Sequence, residues 1–145
     1  MPASYEFVVH ADASPARCFA LISDAPSWTK WASFINHASW EREGTPPPGG
    51  VGAIRKEGRW PFYGREQVVV SDPPSHHAYT ILSGQPVRGY RADVTFTSEG
   101  SGTLITWKGS FEPLVPGTGA LLAGFYRRLL TRMAKGLAAY AATHP

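Results

Sequence analysis

The side chains of this chain whose types could do chemistry are carboxylates and phenols rather than nucleophiles or metal ligands. Glu66, Tyr79 and Tyr90 lie in segments with strand-like alternation, and groups of these kinds can supply the proton transfers of general acid-base chemistry. Residue types alone do not single out a catalytic group among them. Glu66, Arg88 and Tyr90 share the inward parity of their segments, and a carboxylate or guanidinium buried without a partner is costly. Two readings of that trio stand open, a polar end to an apolar pocket and a salt bridge at a sheet rim. No G-x-S-x-G occurs, and Cys18, the only cysteine, lies in an apolar helical stretch as a small buried residue would. The five histidines contain no H-x-x-x-H pair, and His76 and His77, adjacent on a strand, point to opposite faces. No metal and no cofactor is expected, and His37 is read as a surface residue. Gly117-Thr-Gly119 lacks the Lys-Ser/Thr ending of a phosphate loop and the third glycine of a dinucleotide site.

The elements that must position these groups can be read from periodicity. Ser4 to Ala11 alternates as a half-buried strand. Asp12 or Ser14 can cap a helix with Pro15 in its first turn and an apolar stripe through Ile22, and Pro26-Ser27 opens a second short helix, Trp28 to Trp31. Six strands follow, read as Ile35 to Trp40, Val51 to Trp60, Tyr63 to Ser71, His77 to Ser83, Val87 to Thr97 and Thr103 to Phe111. The short turns between them imply an antiparallel meander. Gly119 to Thr143 has helical periodicity, with Leu122, Tyr126, Leu129, Met133, Leu137 and Tyr140 on one arc and Arg127, Arg128, Arg132 and Lys135 roughly opposite.

The length of 145 residues fits one domain spanning 1–145, and 43% hydrophobic with 17% charged residues is not the composition of a disordered chain. The net charge of +3 resolves into −1 over residues 1–112 and +4 over the last 33 residues, so it belongs to one helix and no nucleic-acid partner is expected. That basic face reads as solvated surface, with transient contact to an anionic membrane as the alternative. A lone cysteine and the lack of a signal-like N-terminus lead to a cytoplasmic expectation, as a monomer or homodimer.

The segments Ala13 to Asp24, Trp28-Thr-Lys-Trp31, Gly50-Val-Gly52, Asp72-Pro-Pro74, Ala78-Tyr79 with Ser83-Gly84, and Gly102 to Trp107 resemble, in order, the punctuation of the START-like or SRPBCC superfamily. Within it the chain looks most like the bacterial polyketide cyclase/dehydrase-like proteins. The resemblance implies an α+β helix-grip fold of the Bet v 1 type, in which a curved seven-stranded antiparallel sheet grips the long C-terminal helix over a mostly apolar cavity. Strand and helix parity then nominates Glu66, Val68, Tyr79, Ile81, Arg88, Tyr90, Ala92, Phe96 and Trp107 from the sheet, with Leu122, Phe125, Tyr126, Leu129 and Met133 from the helix, as ligand-binding residues. Ala92 and Gly109 among large neighbours leave volume there, although a dry packed core is the competing reading. The implied function is binding, transport or sensing of a hydrophobic small molecule. The alternatives are a cyclase/dehydrase-like enzyme with Glu66, Tyr79 and Tyr90 as acid-base candidates, and a regulator that acts by protein contact.

Overall fold

A computed structural model describes residues 2–145. The chain runs β1 (Ala3–Ala11), α1 (Pro15–Ser23), a 3-10 turn at Ala25–Ser27, α2 (Trp28–Trp31), β2 (His37–Arg42), β3 (Ile54–Arg59), β4 (Phe62–Asp72), β5 (His76–Ser83), β6 (Val87–Glu99), β7 (Gly102–Pro113) and α3 (Gly119–Thr143). The seven strands form one antiparallel sheet in the order β1-β7-β6-β5-β4-β3-β2. A meander from β2 to β7 is therefore closed by the first strand, which pairs beside the last.

Local chemistry accounts for the helices. The Ser14 hydroxyl accepts the Arg17 N–H at 3.1 Å, and Pro15 fills the first turn, where its missing donor costs nothing. Cys18, Phe19, Leu21 and Ile22 are the buried face of α1. On α3 the inward row is Tyr126, Met133, Ala134, Leu137, Ala138 and Ala141, and the helix packs chiefly on β1. Arg127, Arg128, Arg132 and Lys135 are all exposed.

Along β6 and β7 the burial alternates as a half-buried sheet must, with Tyr90, Ala92, Val94 and Phe96 inside opposite Ile105, Trp107, Gly109 and Phe111. The alternation fails at one expected position. Gly89 takes φ of +62°, and the β6–β7 register shifts between Arg88 and Arg91, so the chain bulges and Arg88 leaves the inner face for solvent. Two strands also begin later than expected: β2 at His37 rather than Ile35, which is buried ahead of it, and β3 at Ile54 rather than Val51. Thr45 and Val51 form only an isolated bridge beyond the Pro-rich loop.

Candidate functional site

The site is organised by an arginine that parity did not single out. Arg55 on β3 is 1% exposed, and its Nε donates to Glu66 Oε1 on β4 at 2.8 Å. Its Nη1 donates to His77 Nε2 on β5 at 3.1 Å. The guanidinium lies 4.4 Å from the Trp28 ring centroid and 4.7 Å from that of Tyr79, a cation held between two π faces. One side chain thus joins α2 to three adjacent strands. Trp28 is fixed from the other side by its indole N–H on Ile22 O at 3.2 Å. Burial and the neighbouring Arg55 charge hold His77 well below the usual imidazole range. It is therefore neutral and accepts from the guanidinium.

Inside this frame, between the sheet and α3, lies a cavity of about 400 Å³. Its apolar wall includes Phe34, Ile35, Ile81, Leu129, Leu130 and Met133. Its polar wall holds Glu57, Glu66, Tyr79, Tyr90, Trp107, and Tyr126 with Gln85. Arg55 is not part of the wall and stands behind Trp28 and Tyr79, which are. Glu57 and Glu66 stand on the same face of neighbouring strands, and both line the cavity. Burial, and then the Glu66 charge, push the Glu57 carboxyl well above the usual range.

Tyr5, behind the wall, joins the wall residues Tyr79 and Tyr90 in a cluster of three phenols. The hydroxyls of Tyr5 and Tyr90 are hydrogen-bonded, and Tyr79 Oη lies 3.4 Å from Tyr90 Oη. Gly109 makes room for this chain, since a Cβ there would stand 2.3 Å from the Tyr5 ring. Burial raises the pKa of all three phenols, and that of Tyr126 to about 12. At neutral pH they are hydrogen-bonding hydroxyls and not bases. Tyr126 donates to Gln85 Oε1 at 2.9 Å, which ties α3 to the β5–β6 turn.

Of the residues nominated from sequence, Glu66, Tyr79, Ile81, Tyr90, Trp107, Tyr126, Leu129 and Met133 come together on the cavity wall. Six stand elsewhere. Arg88 is turned out by the bulge, and the partner of Glu66 is Arg55 instead. Phe125 is 53% exposed, because it sits on the helix flank rather than the inward row. Val68 and Ala92 are buried away from the wall, and Leu122 packs on the core. Phe96 is spent on Phe19 of α1, with ring centroids 5.9 Å apart. His37 is exposed, edge-on to Tyr63 of the wall. Glu57, Trp28 and Arg55 were not foreseen. The one signal for the two β3 residues was their i, i+2 spacing with matching parity, in a strand that has no apolar face to orient it. Among the described residues no group of three or more His, Cys, Asp or Glu could hold a metal ion.

A gripping sheet, a long C-terminal helix and a chamber between them define a helix-grip domain of the START/Bet v 1-like type. Residues 2–142 match the model of the family described as polyketide cyclase / dehydrase and lipid transport, and the chain belongs to that family. Among solved structures it is similar to Ara h 8.0201, with a TM-score of 0.79 at 15% identity over 99% of both chains. It is also similar to XoxI from Bacillus cereus, with a TM-score of 0.78 at 18% identity over 94% of this chain and 93% of that one. An uncharacterized protein from Bacillus thuringiensis gives a TM-score of 0.78 at 17% identity over 96% and 98%. No curated protein matches the sequence.

Proposed function

We propose that the protein binds a hydrophobic small molecule in this cavity and carries or senses it. The observation that carries the reading is the chamber itself. Its volume of about 400 Å³ lies within the roughly 300–1,000 Å³ range of small-molecule sites, and it has the usual composition of apolar walls with a few convergent polar groups. The ligand's apolar body would lie against Ile81, Leu129, Leu130 and Met133. Its polar group would face Glu57, Glu66 and the tyrosines. An anionic head would meet a carboxyl pair whose nearby cation, Arg55, is already bound to Glu66, so the fitting head is an uncharged hydroxyl or carbonyl.

The neutral fluorophore N-phenyl-1-naphthylamine tests the reading. Saturable enhancement is expected, together with a bound molecule in native mass spectra of protein taken gently from its own source. An unresponsive probe and an empty protein in every preparation would favour a packed, non-binding core. One observation favours a second reading, catalysis: the Glu57 carboxyl, pushed well above the usual range, stands on the wall of the same cavity as Tyr79 and Tyr90 and could act there as a general acid. In that case Glu57→Gln abolishes turnover of a polyketide-like substrate while leaving its affinity nearly intact.

A further inference from the structure

The mouth of the cavity carries exposed aromatic side chains. Trp60 and Phe62, at the β3–β4 hairpin tip, are 75% and 82% exposed and also line the chamber. On α3, whose Tyr126, Leu129, Leu130 and Met133 line the chamber, Leu121 and Phe125 are 75% and 53% exposed. At 100° per residue, Leu121, Phe125, Arg128 and Arg132 fall within about 60° of one another. They form one exposed stripe beside the wall residue Leu129. The two sides of the mouth meet through cations: Arg59 Nη2 donates to Ser33 O and Arg132 Nη2 to Ser33 Oγ, each at 3.4 Å. No acid occurs in the sequence between Gly58 and Arg65, nor anywhere in α3. The rim is therefore apolar aromatic tips set in a collar of three arginines, open directly onto an apolar chamber.

Large apolar side chains do not usually stand this exposed in a cluster unless something covers them. A collar of arginines around them specifies a covering surface that is anionic outside and apolar beneath. We propose that the rim formed by Trp60, Phe62, Leu121 and Phe125 with Arg59, Arg128 and Arg132 docks on an anionic membrane surface, so that the chamber opens against the lipid. The aromatics enter the interfacial layer and the guanidiniums meet lipid phosphates. The purpose of this docking, exchange of a ligand with the bilayer, rests on the ligand-binding reading, whereas the docking itself does not.

Co-sedimentation with vesicles of phosphatidylcholine containing phosphatidylglycerol, against phosphatidylcholine alone, tests the proposal. The wild-type protein is expected to bind the anionic vesicles and to leave them at high salt. Each arginine charge near such a surface is worth roughly fivefold, so Arg128→Glu, which lies outside the cavity wall, is expected to weaken binding about 25-fold. Trp60→Ser with Phe62→Ser is expected to weaken it by about tenfold or more. Val8→Ser removes an exposed apolar residue from the far edge of the sheet and is expected to change nothing. The proposal is overturned if the wild-type protein ignores anionic vesicles, if both vesicle types take it equally at any salt, or if the rim variants bind as well as wild type. N-phenyl-1-naphthylamine titration of the same samples separates the two readings. Saturable probe binding without vesicle binding ends the docking proposal alone. Vesicle binding without probe binding ends the ligand reading alone.

Discussion

Replacing Arg55 with Met tests whether one buried cation holds the site together. The substitution keeps much of the volume between Trp28 and Tyr79 but removes the guanidinium, leaving Glu66, whose side chain is 13% exposed, without its 2.8 Å partner. Breaking a buried ion pair from one side costs about 3–5 kcal/mol, because a charge is left without compensation. His77 Nε2 also loses its donor. At about 2–4 °C per kcal/mol for a domain near this size, the melting temperature should fall by about 6–20 °C. Urea denaturation followed by tryptophan fluorescence reads the same loss as a lower midpoint at unchanged slope. The double variant Arg55→Met/Glu66→Gln removes the orphaned charge as well, and should recover most of the loss, since a buried pair exchanged for neutral groups is often near neutral in stability. A single-variant loss below about 1 kcal/mol, or a double variant no more stable than the single, would refute the reasoning, because either result means that Glu66 does not depend on Arg55.

Two further predictions concern the polar wall. Because burial and the Glu66 charge raise the Glu57 pKa in the fold, the folded state binds more protons than the unfolded chain above about pH 4.3, and stability contributed at this residue falls as pH rises toward the folded value. Glu57→Gln does not titrate, so its stability relative to wild type should grow with pH in denaturation series from pH 5 to 8; a constant difference would mean that Glu57 is ionised in the fold. Gly109→Ala places a methyl 2.3 Å from the Tyr5 ring, and should cost about 1–3 kcal/mol by forcing that ring and its Tyr90 hydrogen bond aside. An unchanged melting temperature would show that the ring has room to move.

Much of this architecture is visible in the sequence wherever hydrophobic periodicity is strong. Helix α3 falls on the expected Gly119–Thr143, and β6 and β7 show the expected inner faces from Tyr90 to Phe96 and from Ile105 to Phe111. The signal fails where the pattern carries no apolar face. Strand β3, Ile54-Arg-Lys-Glu-Gly-Arg59, is almost entirely polar, so nothing in it shows that Arg55 and Glu57 point inward while Lys56 does not. A single glycine also defeats strict alternation. The left-handed Gly89 shifts the register, so that counting back from Tyr90 puts Arg88 on the wrong face. Helical parity errs more gently at Phe125, which lies one position off the inward row marked by Tyr126. Of the rim aromatics, Trp60 ends an expected strand and Phe62 falls in the connection after it, and their exposure depends on a hairpin tip that only the folded sheet defines.

The central claim is that the space between sheet and helix is a binding site, and its most direct test is where a bound probe sits. Two-dimensional NMR of the complex with N-phenyl-1-naphthylamine should give intermolecular contacts to the methyl groups of Ile81, Leu129 and Met133, all on the cavity wall. Leu130→Trp, which fills the same wall, should abolish those contacts together with the saturable fluorescence. Probe contacts confined to surface residues such as Leu114 and Val115, or binding undiminished in Leu130→Trp, would contradict the account.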